Sequence, residues 1–197
     1  WGPLLSGLIA LGQWCGLESL VAARVVMGLS AVLFLWGSQR MFVALQLPER
    51  WQFPGLILVA LASAWWSVQF ITPDLLLSAM VLFASSLMLQ DGWFNNYRAM
   101  FLAGGFWGLA YLTKAIALPL GCLAIAVHCG RLIWERKASW SAVLRSGGAT
   151  AIVMVIIAML AALVGPRVMG ALGSSKVKST KIQIETLAAT VDAFHLD

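Results

Sequence analysis

Long apolar runs separated by short polar interruptions dominate the first 165 or so residues of the chain. Seven such blocks stand out: Pro3–Cys15, Leu20–Trp36, Phe53–Phe70, Leu75–Leu89, Met100–Leu112, Ala115–Ile133 and Ala149–Val164. A helix needs roughly 20 mostly apolar residues to cross a bilayer. It can do so because it satisfies its own backbone hydrogen bonds where no water is available. The pattern therefore predicts an all-α fold, a polytopic transmembrane helix bundle of six to seven apolar segments. The first block is short for a full span, which leaves it open as a cut helix or an interfacial piece.

The interruptions carry turn and breaker residues. Leu47-Pro48-Glu49-Arg50, Thr72-Pro73-Asp74, Gln90-Asp91-Gly92 with Asn95-Asn96-Tyr97-Arg98, and Gly165-Pro166-Arg167 read as connections. Pro119 lies within the sixth block and is expected to kink or break it. Gly104, Gly105 and Gly108 in the fifth block are small residues of the kind that let membrane helices approach closely. Beyond Val177 the pattern changes: Val177, Ile184, Leu187, Val191 and Phe194 recur at helical spacing, with Lys176, Lys178, Lys181 and Glu185 off the stripe. That predicts one amphipathic extramembrane helix that needs a partner to pack against. The chain opens on Trp1 in an already apolar stretch, and Asp197 interrupts the amphipathic pattern, so both ends are expected to be cut.

Composition strengthens the membrane reading. The chain is 61% hydrophobic and 11% charged, where soluble domains carry about a quarter charged residues. No soluble domain of any size fits beside that many apolar segments. Thirteen Lys and Arg exceed eight Asp and Glu, but they stand singly between apolar blocks. They read as topology signals and not as a nucleic-acid surface. If the third to seventh blocks are spans, Arg40, Arg50, Arg98, Arg131, Arg136, Lys137 and Arg145 gather on one side, predicted to be cytoplasmic. Asp74, Lys114 and the tail then lie on the other. Trp14, Trp51, Trp93, Trp134 and Trp140 sit near block ends, as an interfacial belt requires. Cys15, Cys122 and Cys129 form no CxxC or zinc-type pattern and read as small buried hydrophobes.

Candidate chemistry is confined to polar residues at membrane depth, because no Walker loop, dinucleotide fingerprint, HExxH or GxSxG occurs. Ionisable groups there are expensive and are functional candidates by default. Asp74 can cap the N-terminus of the fourth helix and complement its dipole; it can equally hold a cationic or hydroxyl-bearing substrate or act as a base. Lys114, a lone ammonium between apolar runs on the same predicted side, needs an anionic partner. A lipid phosphate suits it, and so does Asp74. These two are the substrate-binding candidates, with no metal site and no assigned cofactor. Glu18 and Arg24 are expected to pair or to sit at the interface, and His128 to snorkel near Arg131.

Gly2-Pro3-Leu4-Leu5, Gly16-Leu17-Glu18-Ser19-Leu20-Val21-Ala22-Ala23-Arg24 and Gly37-Ser38-Gln39-Arg40 resemble the early region of membrane glycosyltransferases of the GT-C class. The nearest in style are the bacterial relatives of protein O-mannosyltransferases and the lipid A aminoarabinose transferases. Ile71-Thr72-Pro73-Asp74-Leu75-Leu76-Leu77 looks like their second acidic motif, and Gly108-Leu109-Ala110-Tyr111-Leu112-Thr113-Lys114 looks like their "LTK" helix end. The resemblance covers roughly residues 1–145. It implies transfer of a sugar from a polyprenyl-phosphate donor at the periplasmic face of a bacterial inner membrane. In that family the main catalytic carboxylate lies in the first outer loop, which this chain does not include, so the region from Trp1 is expected to be inactive alone. Gln69 stands near the place of a frequent arginine.

The last 45 residues or so are similar to something else. Val153-Met154-Val155-Ile156-Ile157-Ala158-Met159-Leu160-Ala161-Ala162-Leu163-Val164-Gly165-Pro166-Arg167, with Lys176-Val177-Lys178, Gln183-Ile184-Glu185 and Asp192-Ala193-Phe194-His195-Leu196-Asp197, resemble the N-terminal helix of the major pseudopilin of type II secretion. That resemblance implies an inner-membrane helix projecting into the periplasm and packing on helix partners. The family's early glutamate is replaced by Ala149. Two regions are expected accordingly, 1–148 and 149–197. The alternatives to a glycosyltransferase segment are a secretion assembly component and a reading frame that joins the two.

Overall fold

The computed structural model describes residues 3–90, 92–135 and 138–163. Seven α-helices make up this part: α1 (Pro3–Trp14), α2 (Ser19–Ala44), α3 (Glu49–Gln69), α4 (Asp74–Met88), α5 (Tyr97–Thr113), α6 (Ala117–Trp134) and α7 (Trp140–Leu163). A single 3-10 turn, Trp93–Asn95, joins α4 to α5. Among the described residues there is no strand. The chain divides into two compact units, Trp1–Met159 and Leu160–Asp197. The amphipathic tail and most of the pseudopilin-like segment lie outside the described residues.

Local chemistry explains where the helices stop. At the end of α2, Gln46 takes a left-handed φ of 54°. The Gln46 N–H donates to the Val43 carbonyl and the Leu47 N–H to the Phe42 carbonyl, the paired bonds of a Schellman end. Pro48 then bars continuation. The same arrangement closes α1 at Gly16, whose φ is 87°. Asn96 caps α5 by accepting from the Ala99 N–H, and the Ser139 hydroxyl accepts from the Ala142 N–H at the head of α7.

Three elements differ from the sequence expectation. Helix α2 runs past Gln39-Arg40 to Ala44, because a single guanidinium folded against the Trp36 ring does not interrupt a helix. Pro119 neither kinks nor breaks α6; it is the third residue of that helix, where its missing N–H has no intrahelical partner to lose. Helix α7 begins at Trp140, nine residues before the apolar block. The added stretch takes in Ser146, which is fully buried with its hydroxyl bonded back to the Val143 carbonyl, as Thr150 inside the block bonds back to the Ser146 carbonyl.

Helices α2, α3, α6 and α7 are long and apolar enough to cross a membrane. Helix α4 has 15 residues and α5 has 17. At 1.5 Å per residue, α4 reaches roughly 22 Å, short of a hydrocarbon core of about 30 Å. The outer surface is apolar too. Along α3, Phe53, Leu58, Leu61, Trp65 and Val68 are all more than half exposed, an unpartnered face that water would not tolerate but lipid would. Four such helices mark the chain as a membrane protein.

Interhelical contacts fix the helix directions. Arg24 near the start of α2 donates to carbonyls at the end of α3, and Asp74 at the start of α4 meets Lys114 just past the end of α5. Gly104 and Gly108 of α5 lie against Thr150, Val153 and Ile157 of α7, in the same order along both chains, so these two run parallel. Gly121 of α6 meets Met154, and Gly147 meets Cys129, so α6 and α7 run antiparallel. One end of the bundle thereby collects Arg40, Arg50, Arg98, Arg131 and Arg145, and the other collects Arg24, Asp74 and Lys114. The core between them is built on Trp93, Met100, Trp107 and Met154, with a second cluster of Leu76, Met80, Ala110 and Ala117.

Candidate functional site

Asp74 is the first residue of α4, and Pro73 precedes it as a cap without a side-chain hydrogen bond. Among the described residues its carboxylate accepts from Lys114 and not from a backbone N–H, so it is not a capping acceptor. It acts as an anion in the first turn, where the aligned peptide dipoles favour negative charge. Lys114 is the residue that ends α5, in extended conformation, with its N–H bonded to the Ala110 carbonyl. A cation at a helix C-terminus is favoured for the complementary reason.

The structure brings these two residues together. Lys114 Nζ lies 2.5 Å from Asp74 Oδ1 across 40 residues of sequence, with side chains 46% and 38% exposed. At that exposure an ion pair contributes about 0–1 kcal/mol, so a competing ligand can open it readily. Lysine binds phosphate as a point charge with three rotatable donors. A carboxylate has acceptor positions left over for hydroxyl groups. The pair is thus a small zwitterionic patch at one end of the bundle, chemically able to take an anion at Lys114 and a hydroxyl at Asp74.

The remaining sequence candidates lie elsewhere. Arg24 donates to the Val68 carbonyl and, at 3.4 Å, to that of Ser67. It satisfies the last turn of α3 from an exposed position at the bundle end, without the Glu18 pairing that was one of the two sequence alternatives. Nearby, Trp66 Nε1 donates to Thr72 Oγ1 at 3.2 Å and ties the α3–α4 connection to its helix. His128 is buried at 8% exposure, not snorkelling, and lies edge-on to Trp93 with ring centroids 5.1 Å apart. Cys15, just past the end of α1, and Cys122, on the outward side of α6, are exposed and Cys129 is half-buried, so they are not the buried small hydrophobes the sequence predicts. Among the described residues no three His, Cys, Asp or Glu side chains converge as a metal site.

At the opposite, arginine-rich end lies a cavity of about 300 Å³ lined by Trp36, Gln39, Arg40, Val43, Ala44 and Gln90. In the sequence Arg40 reads as a topology charge and as part of the Gly37-Ser38-Gln39-Arg40 resemblance, not as the wall of a cavity. The available signal was Trp36 four residues before it on one helix face, a spacing at which side chains meet. Gln90 enters only through the packing of α4 on α2. Compared with family models, curated proteins and solved structures, the chain matches none.

Proposed function

We propose that this protein is a multi-pass membrane component of glycosyl transfer that holds a polyprenyl-phosphate-linked sugar at the Asp74–Lys114 end of the bundle. The observation that carries this reading is the half-exposed ion pair at 2.5 Å. Two charges that stand alone in the sequence, each a costly group at membrane depth, meet at one bundle end beside outward-facing apolar helices. A polyprenyl phosphate is an anion carried on an apolar chain. Its phosphate suits Lys114, its sugar hydroxyls suit Asp74, and its isoprenoid tail suits the lipid-facing surface.

In this reading α4 and α5 also cross the bilayer, sheltered between longer helices. The arginine-rich end faces the cytoplasm by the excess of positive charge, and the Asp74–Lys114 end faces the periplasm of a bacterial inner membrane. The resemblance of residues 71–77 and 108–114 to GT-C motifs points the same way.

The test is binding of a bare polyprenyl phosphate and of its sugar-bearing form to the purified protein in lipid nanodiscs. Lys114→Gln should weaken both by about tenfold or more, corresponding to roughly 1.4 kcal/mol. Asp74→Asn frees Lys114, so it should leave the bare phosphate bound at least as well while weakening the sugar-bearing form. Unchanged binding in Lys114→Gln would contradict the proposal.

A further inference from the structure

The cavity at the Arg40 end has the chemistry of a second, separate site. Its lining offers one guanidinium and two primary amides, from Arg40, Gln39 and Gln90. None of the three side chains has a hydrogen-bond partner among the described residues, and no carboxylate there lies within ion-pair reach of Arg40. The guanidinium is nonetheless placed: its Cζ lies 5.7 Å from the centroid of the Trp36 ring, and Trp36 is held edge-on against Phe83 of α4 at 5.3 Å. Close helix packing supports that arrangement, since a Cβ added at Gly37 would stand 3.2 Å from Leu82 and 3.4 Å from the Ala79 carbonyl oxygen. Among the described lining residues, one guanidinium and two amides whose N–H groups can turn inward make a site for an anion with several oxygens.

We propose that this cavity binds the phosphate of an anionic phospholipid. Arg40 engages the phosphate oxygens with its planar fork, and Gln39 and Gln90 donate to the remaining oxygens or to the headgroup. Val43 and Ala44 form the apolar side of the cavity. Val32, Leu29 and Val25 continue an exposed apolar surface down α2 from Trp36, which gives acyl chains a path that a free phosphate ion would not use. At about 300 Å³ the cavity is at the lower end of small-molecule sites, in keeping with a headgroup whose tails remain outside. The inference is independent of the Asp74–Lys114 reading, which concerns the other end of the bundle.

The experiment is retention of phosphatidylglycerol and of phosphatidylcholine by the purified full chain in detergent, counted by native mass spectrometry. Arg40→Gln should lower the ratio of phosphatidylglycerol to phosphatidylcholine retained by about tenfold, and Gln90→Leu should lower it by a smaller factor. The ratio is internal to each variant, so a general loss of fold, which would lower both lipids, does not imitate the result. Arg50→Gln, a charge change at the same bundle end but outside the cavity, should leave the ratio unchanged. An Arg40→Gln ratio equal to that of the unaltered chain would overturn the proposal, as would an equal drop with Arg50→Gln, which would mean diffuse charge attraction. Displacement of phosphatidylglycerol by millimolar inorganic phosphate would overturn the lipid as the occupant.

Discussion

A methyl group added at Gly104 would stand 2.5 Å from the Thr150 carbonyl oxygen and 2.9 Å from Val153 Cβ. The first of those atoms belongs to the backbone of α7, so relief requires moving a helix and not a side chain. At Gly105, one residue on, the same methyl group meets nothing within 4 Å. Gly104→Ala should therefore destabilise the bundle by about 1–3 kcal/mol, the range for overpacking, despite the gain of roughly 0.5–1 kcal/mol that alanine brings inside a helix. Gly105→Ala should keep that gain. Thermal unfolding of the two variants in detergent separates them, and equal midpoints would show that α5 and α7 do not pack this closely. The sequence marked all three glycines for packing, but only the three-dimensional pairing of α5 with α7 tells Gly104 and Gly108 from Gly105. Asp74 and Lys114 were legible for a simpler reason: each is a lone charge between apolar runs, and each had the other as an available partner. Arg24 and His128 were not, because the α3 carbonyls and the Trp93 ring that receive them come from distant segments.

Among the helices, α3 gives the clearest statement about solvent. It packs chiefly against α2 and leaves Leu58, Leu61 and Trp65 outward, each about two-thirds exposed. For an outward residue of a water-soluble helix, Leu61→Arg would change stability by no more than about 0.5 kcal/mol. At the centre of a membrane helix, arginine costs about 2.5–3.5 kcal/mol of insertion free energy. Leu61→Arg should then reduce the fraction of chain recovered in the membrane, measured by carbonate extraction; full recovery would contradict a lipid-facing α3. Element existence was plain from the apolar blocks, since each becomes a helix within the described residues. Element length was not. Hydropathy counts only apolar residues, whereas Ser146, Thr150 and Arg145 are carried in α7 by back-bonding to its own carbonyls and by the stacking of Arg145 over Tyr97 at 5.6 Å. The effect of Pro119 depends on its place in the helix, which the boundary at Ala117 decides and the residue pattern does not mark.

For the molecule as a whole, the alternating helix directions create two chemically different ends. Arginines dominate one, with a donor-lined cavity beside Arg40; the Asp74–Lys114 pair marks the other. The separation follows from chain order alone once α2 to α7 each reverse direction, which is why the charge count along the sequence sorts Arg40, Arg50, Arg98, Arg131 and Arg145 from Asp74 and Lys114 as the described residues do; Arg136, Lys137 and the tail lie outside them. What sequence could not supply is the cavity, because Gln90 reaches Arg40 only when α4 lies along α2. On the proposed function a membrane separates these two ends, so that α4 and α5 cross it together with the four longer apolar helices. Thiol accessibility tests that claim directly. With Cys15, Cys122 and Cys129 replaced by alanine, single cysteines at Gln46, Phe70, Asn95 and Ile116 are challenged in sealed, oriented vesicles with a membrane-impermeant reagent. The account predicts that the Gln46 and Asn95 positions are labelled from one side and the Phe70 and Ile116 positions only from the other; labelling of all four from the same side would contradict it.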